Sequence, residues 1–253
     1  MRDIIISLQL QMQDLGLLHS LFTDNHDNSP FISRAADDKE LRYESATCIA
    51  AMFYLLRGVP FIYQGQEIGL SNSSYDSINM YNDVESTNAY NEFLKEGMTE
   101  EQALKKIDFG SRDNARRPFA WDKTQFCGFS THEPWLPVAS RSNEINLEKF
   151  CDSRNDKKSE KSIFRFYKKL LKLRKDEAAL RKGTVAVLSK PEDEYFIYTR
   201  ELNNSKFTVI CNFGQNSTIN GIEKFGNEIL FNYSDRKAGN KLLRPYEIVV
   251  LSK

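Results

Sequence analysis

LLHSLFTDNHD, residues 17–27, and VPFIYQGQE, residues 59–67, decide how this chain is to be read. Each begins as a short apolar run, Leu17–Phe22 and Val59–Tyr63. Each ends in a polar, acid-bearing cluster, Asp24-Asn25-His26-Asp27 and Gln64-Gly65-Gln66-Glu67. Apolar runs of this length, bounded by polar residues, read as buried strands. Between them, residues 38–57 carry an apolar stripe at helical spacing (Leu41, Ala46, Ile49, Ala50, Phe53, Leu56), closed by Gly58. Residues 1–15 place Ile5, Leu8, Met12 and Leu15 at the same spacing, with Gly16 as the stop. Helix, strand, helix, strand with short links predicts a parallel sheet of the α/β class. Such sheets bind ligands beyond the carboxyl ends of their strands, where both polar clusters fall.

Further along, residues 70–159 are polar, dotted with aromatics and mostly loop-like, a long insertion of the kind that is usually functional. One helical section stands out from about Asp83 to Ile107, and Thr99-Glu100-Glu101-Gln102 fits a capping box at which a helix restarts. Ser159–Arg181 is an amphipathic helix with Ile163, Phe166, Leu170 and Leu173 on one side and Lys and Arg on the other, ended by Gly183. Short β-type runs follow at 184–188, 195–200, 207–212, 228–231 and 247–251, separated by turn residues such as Asn203-Asn204. They predict a small antiparallel β domain. The division is therefore 1–182, with the insertion at about 70–159, and 183–253.

The chain has 253 residues, with 35 basic and 35 acidic side chains and a net charge of zero, which argues against nucleic acid as a partner. The four cysteines, Cys48, Cys127, Cys151 and Cys211, form no CxxC pair and read as reduced thiols of a cytoplasmic protein. Ile4–Leu8 is too short for the apolar region of a signal peptide, and no run approaches the length of a membrane helix.

As a local pattern, Asp24–Asp27 reads as a turn whose Asp or Asn caps the next helix, with Pro30 stiffening the loop. It also reads as a carboxylate and an imidazole that grip adjacent hydroxyls, since an ionised carboxylate accepts from two hydroxyls at once. One His with two Asp is a poor transition-metal set, so no metal is expected. Glu67 carries little weight alone. RDNARRPFAWD, residues 112–122, sets Arg112 and Arg116 around Asp113 and Asn114. It reads either as a solvated salt-bridge network or as guanidinium forks that pair with a carboxylate and present their remaining donors to a ligand oxygen. Phe119 and Trp121 read as stacking surfaces or, preferably, as loop anchors.

FTDNHDNSPFISR (22–34), GVPFIYQGQEIGL (58–70), YNDVESTNAYNEF (81–93), SRDNARRPFAWD (111–122), GFSTHEPWLPV (128–138) and the tail LRPYEIVVL (243–251) together carry a resemblance. The chain resembles the carboxyl-terminal half of the α-glucosidase branch of the α-amylase superfamily, glycoside hydrolase family 13. That branch includes oligo-1,6-glucosidases, dextran glucosidases, maltases and trehalose-6-phosphate hydrolases. The resemblance implies part of a (β/α)8 barrel, its last two strands and helices, followed by a small antiparallel β domain. Leu17–Thr23 and Val59–Tyr63 match the seventh and eighth strands. Asp27 matches the third catalytic carboxylate, the transition-state stabiliser. His26 matches its hydroxyl-binding neighbour. Arg116 matches the Arg that grips the terminal glucose, ordinarily paired with an Asp from the first part of the barrel. Arg112 is a second candidate for that pocket. The implied parent reaction is hydrolysis of terminal α-linked glucose from short oligosaccharides (α-1,6 or α-1,4) with retention. No organic cofactor is implied.

Two departures qualify that match. The family runs Gln-Pro-Arg after its NHD, whereas this chain has Asn28-Ser29-Pro30, with Arg34 further on. The family's nucleophile and acid/base lie on earlier strands, and nothing upstream of Asp24 matches them. A retaining glycosidase needs two carboxyl groups about 5 Å apart, so the chain alone is expected to be inactive. Its expected partners are a small oligosaccharide and the amino-terminal half of the same enzyme. The alternatives are a non-catalytic sugar-binding or structural relative, or one half of a split enzyme.

Overall fold

The computed structural model of the chain describes residues 2–151 and 161–253. In chain order the helices are α1 (Arg2–Asp14), α2 (Phe31–Ala35), α3 (Arg42–Tyr54), α4 (Val84–Lys95), α5 (Glu100–Gly110), α6 (Asp113–Arg116), α7 (Leu147–Cys151), α8 (Ile163–Asp176) and α9 (Ala178–Lys182). The strands are β1 (His19–Leu21), β2 (Gly58–Pro60), β3 (Thr184–Val187), β4 (Tyr195–Leu202), β5 (Ser205–Asn212), β6 (Ser217–Thr218), β7 (Asn227–Phe231), β8 (Leu242–Leu243) and β9 (Ile248–Ser252). They fall into two compact units. One is Met1–Phe22, Tyr43–Phe61 and Arg165–Lys253; the other is Thr23–Arg42 and Ile62–Phe164.

In the first unit, β1 and β2 pair in parallel with His19 opposite Gly58 and Leu21 opposite Pro60. The close pairing explains Gly58, at φ +155: an added Cβ would lie 2.2 Å from the His19 carbonyl oxygen. Ser20 and Val59 are partners, so they share a face with Phe22 and Phe61, two residues on. That face is exposed, and Leu21 alone of the run 17–22 is buried. The expectation of two buried strands is thus corrected: each is three residues long and the pair has one covered face. The stripe expected of α1 is corrected too. Leu8 and Leu15 are exposed, and the buried residue is Gln9, whose Oε1 accepts from the Arg57 amide at 3.0 Å. Gly16 does stop α1, at φ +68, with its N–H on Gln13 and that of Leu17 on Met12.

α3 is buried on nearly every side rather than along one stripe, which its small residues Ser45, Ala46, Ala50 and Ala51 permit. A buried helix end leaves carbonyls without partners, and two buried arginines supply them here. Arg174 of α8 donates to the carbonyls of Tyr54, Leu56 and Gly58 at 2.8, 2.9 and 2.5 Å. Arg200 of β4 donates to Leu55, Leu180 and Gly183 at 2.6, 2.8 and 2.8 Å. Burial pulls the Arg200 guanidinium down to about 10 and lowers Arg174 as well. The expected helix 159–181 is interrupted where Glu177 turns extended, giving α8 and α9; Ser159 and Glu160 lie outside the described residues.

The antiparallel sheet runs β3-β4-β5-β9-β7. β4 and β5 form a hairpin closed at Asn203-Asn204, with Asn203 at φ +53, the left-handed backbone that Asn tolerates. One face packs Ile197, Ile210, Val249 and Leu251 against Ile219, Ile222 and Leu243. The other face buries Phe196, Tyr198, Val209 and Val250. The pair β6–β8 was not expected from the sequence.

The second unit is more ordered than its polar composition predicts. α4 and α5 pack around Tyr81, Tyr90, Ala103 and Ile107. The helical section expected from Asp83 is split at Gly97 (φ +89), and the capping box forms with both bonds, Gln102 N–H to Thr99 Oγ1 at 3.3 Å and Thr99 N–H to Gln102 Oε1 at 3.0 Å.

Candidate active site

The segment that follows β1 in the chain is shaped by two side chains that face inward. Asp24 accepts from the Phe31 amide at 2.5 Å with one oxygen, and from Thr23 Oγ1 and Gln66 Nε2 with the other. Gln66 in turn accepts from the Tyr63 amide at 2.7 Å. Asp24 and Gln66 thus tie the segment after β1 to the segment after β2. Burial pushes the Asp24 carboxyl up, against the pull of these bonds and of Arg34. Asn25 Oδ1 then accepts from the Asp27 amide at 2.8 Å and from Asn28 Nδ2 at 3.0 Å. This Asx turn puts His26 and Asp27 at the surface, their side chains 70% and 53% exposed.

Arg116 closes the cluster. Its Nη2 lies 3.2 Å from Asp27 Oδ1, its Nε donates to the His26 carbonyl at 2.8 Å, and His26 Nε2 is 3.2 Å from Asp27 Oδ2. The arginine sits at the end of α6, a single turn held by buried polar residues. Asp113 accepts from the amides of Asn82 and Asp83 at 2.7 and 2.9 Å. Asn114 donates to the Asp108 carbonyl at 2.8 Å and accepts from the Ser73 amide at 3.0 Å. Tyr63 Oη donates to the Ala115 carbonyl at 3.2 Å. Asp113 and Asn114 are buried, so RDNAR is not a solvated network; it is the mount for Arg116.

The structure brings together His26, Asp27 and Arg116. It commits Arg112 elsewhere, with Nη2 2.5 Å and Nε 3.3 Å from buried Asp83. Burial opposes the charge on Asp83, but Arg112 and the Ser86 hydroxyl outweigh it and hold the carboxyl below its ordinary value. The hydrogen bond to Asp83 raises Arg112, and the charge of Asp27 acts in the same direction. Arg116 reaches Asp27 itself, whereas the resemblance implies an Asp from another part of the barrel. Sequence reasoning missed Asp83 and Tyr63; the Asp or Asn expected to cap the next helix is Asp24, which holds the first amide of α2, and only its bond to Gln66 was not foreseen. Asp83 stands where an N-cap belongs, yet its carboxylate caps no amide and serves Arg112 instead. Phe119 is an anchor, buried against Ile68 and Ile145. Trp121, expected to be one, is exposed.

The cluster presents a carboxylate, which accepts hydrogen bonds, beside a guanidinium and an imidazole, which donate them. Asp24, the nearest acid in sequence, has both oxygens committed.

The sequence profile of the alpha amylase catalytic domain matches residues 1–183, and the chain belongs to the α-amylase family, glycoside hydrolase family 13. An oligo-1,6-glucosidase of Halalkalibacterium halodurans is 36% identical over 98% of this chain and 45% of its own length. The trehalose-6-phosphate hydrolase of Bacillus subtilis is 34% identical over 99% of this chain and 45% of its own. The crystal structure of Bacillus licheniformis trehalose-6-phosphate hydrolase aligns with a TM-score of 0.88 at 32% identity, covering 99% of this chain and 46% of that one. The chain thus spans about half the length of the curated relatives it matches. The fold is accordingly part of a (β/α)8 barrel, with the parallel pair β1–β2, followed by a small antiparallel β domain. Among the described residues no helix is long and apolar enough to cross a membrane.

Proposed function

We propose that the chain supplies the glucose-holding side of a retaining α-glucosidase. In this reading residues 1–182 are barrel, with the insertion at about 70–159, and 183–253 are the β domain. The observation that carries the reading is the Asp27–Arg116 pair at 3.2 Å with His26 on both, seated on the very segments that match the family. Asp27 stabilises the oxocarbenium-like transition state and holds sugar hydroxyls, and His26 and Arg116 recognise the terminal glucose. One carboxylate cannot both attack the anomeric carbon and protonate the leaving oxygen. The nucleophile and the acid therefore come from polypeptide outside these 253 residues. The substrate is a short α-linked glucoside, and no cofactor takes part. The unpaired thiols fit the cytoplasm.

Calorimetric titration with methyl α-glucoside tests the reading. Weak binding by the chain, weakened about tenfold or more in Asp27→Ala, is expected for a lost charge-assisted hydrogen bond. Equal binding by both proteins would rule the assignment out.

A further inference from the structure

Asp27 and Arg116 are 89 residues apart in the chain, and their ion pair is exposed on the carboxylate side. An exposed pair is too weak to hold two loops at a fixed distance. A stronger connection runs through Gln66 and Tyr63. Tyr63 bonds in two directions: its amide donates to Gln66 Oε1 at 2.7 Å, and its Oη donates to the Ala115 carbonyl at 3.2 Å. Ala115 is the residue before Arg116. Gln66 Nε2 donates to Thr23 Oγ1 at 2.5 Å and to Asp24 Oδ2. Asp24 opens the segment that Asn25 turns to present His26 and Asp27. A continuous path of hydrogen bonds, Asp24–Gln66–Tyr63–Ala115, thus joins the mount of Asp27 to the mount of Arg116. Burial raises the Tyr63 hydroxyl, and the charges of Arg116, Asp27 and Asp24 all act on it. The backbone that carries Gln66 is fixed as well. Gly65 is at φ +91, where an added Cβ would lie 2.7 Å from the Leu70 side chain, and its carbonyl accepts from the Leu70 amide at 2.8 Å.

The direction of each bond is set by chemistry. A backbone N–H only donates, so Gln66 must turn Oε1 toward Tyr63 and Nε2 toward Asp24. Asp24 then meets donors on both of its oxygens, the Phe31 amide on one and Gln66 and Thr23 on the other. A carboxylate accepts on both sides, and an asparagine does not. We propose that Gln66 and Tyr63 are positioning residues, which with Asp24 brace Asp27 and Arg116 at the spacing a glucose ring needs before the sugar arrives. A site ordered in advance loses less affinity to ordering on binding. This rests on the glucose-holding reading and says what keeps that site in shape.

The full chain and its variants are titrated with methyl α-glucoside by calorimetry, at a temperature where circular dichroism shows all of them folded. Asp24→Asn sets N–H groups against N–H groups, and Gln66→Glu sets one carboxylate against another. Each weakens binding about 3- to 10-fold, the size of a lost hydrogen bond. The double variant Asp24→Asn/Gln66→Glu reverses the polarity and satisfies both sides: the new carboxylate accepts from Tyr63, Thr23 and the new amide. It binds within about twofold of the unaltered chain. Tyr63→Phe removes only the hydroxyl on Ala115 and again weakens binding about 3- to 10-fold. Lower melting temperatures with unchanged affinity in the folded single variants would mean a brace for stability alone, and overturn the proposal. A double variant no better than the singles overturns it too. Solvent exchange of the Arg116 Nε–H, which donates to the His26 carbonyl at 2.8 Å, gives a readout that needs no sugar. Its nitrogen-15 NMR signal is assigned by its loss in Arg116→Lys. Exchange quickens in the single variants and slows again in the double. If the unaltered chain binds no glucoside, the glucose-holding reading fails, and this exchange decides the brace by itself: equal rates in all the proteins overturn it.

Discussion

Asp27 and Arg116, the residues we propose to hold the glucose, contribute little to stability. Their pair is exposed on the carboxylate side, and such pairs contribute about 0–1 kcal/mol. Arg116→Met should therefore lower the melting temperature by no more than a degree or two while it removes glucose binding. A calorimetric scan beside a binding titration checks both halves. Glu67 behaves in the opposite way. Burial raises its carboxyl above the ordinary 4.5, and its Oε2 finds no partner among the described residues. From that ordinary value up through the raised one, the native state keeps a proton that the unfolded chain has released, so stability falls as pH rises across the window. Glu67→Gln should thus raise the melting temperature near pH 7 and have no such effect below about pH 4. Melting curves at the two pH values decide it. His26 and Asp27 were legible in the sequence because they stand in a motif. Asp24 as a helix cap was legible too, but its bond to Gln66 and the role of Asp83 were not, because their partners, Gln66 and Arg112, are distant in the chain.

Among the elements, α3 depends on its two arginine partners. Removing Arg200 strips donors from the carbonyls of Leu55, Leu180 and Gly183 while they stay buried. Each orphaned carbonyl costs about 1–3 kcal/mol. Arg200→Met should therefore destabilise by at least about 3 kcal/mol in urea unfolding, and Arg174→Met by a similar amount. These roles were hidden in the sequence. Read by residue type, the arginines of α8 group with the lysines, but Arg174 follows Leu170 by four residues and so lies beside the apolar stripe, where the structure buries it on backbone oxygens. What was legible followed from local chemistry: Gly16 as a stop, the Thr99 capping box, the Asn203-Asn204 hairpin and the order of the β runs. β6 and β8 are two residues each, too short for any pattern, and the break at Glu177 carries neither Gly nor Pro to announce it.

For the molecule as a whole, the exposed face of β1 and β2 matters most. Parallel strands are ordinarily covered on both faces. Here Phe22, Val59 and Phe61 are exposed, and each strand has a single neighbour. Open strand edges beside apolar surface favour association. Sedimentation velocity should show concentration-dependent self-association of the chain, reduced in the double variant Phe22→Ser/Phe61→Ser. Apolar runs announced strands correctly, but burial is a property of what lies alongside them, which no local pattern reports.

The central claim is that the sugar pocket draws its attacking and protonating carboxyls from polypeptide beyond this chain. The measurement is hydrolysis of p-nitrophenyl α-glucoside by the chain alone, and by the chain co-expressed with the amino-terminal portion of an oligo-1,6-glucosidase. We expect no turnover from the chain alone, turnover from the pair, and its loss when the chain carries Asp27→Ala. Turnover by the chain alone, or a pair indifferent to Asp27→Ala, would contradict the claim.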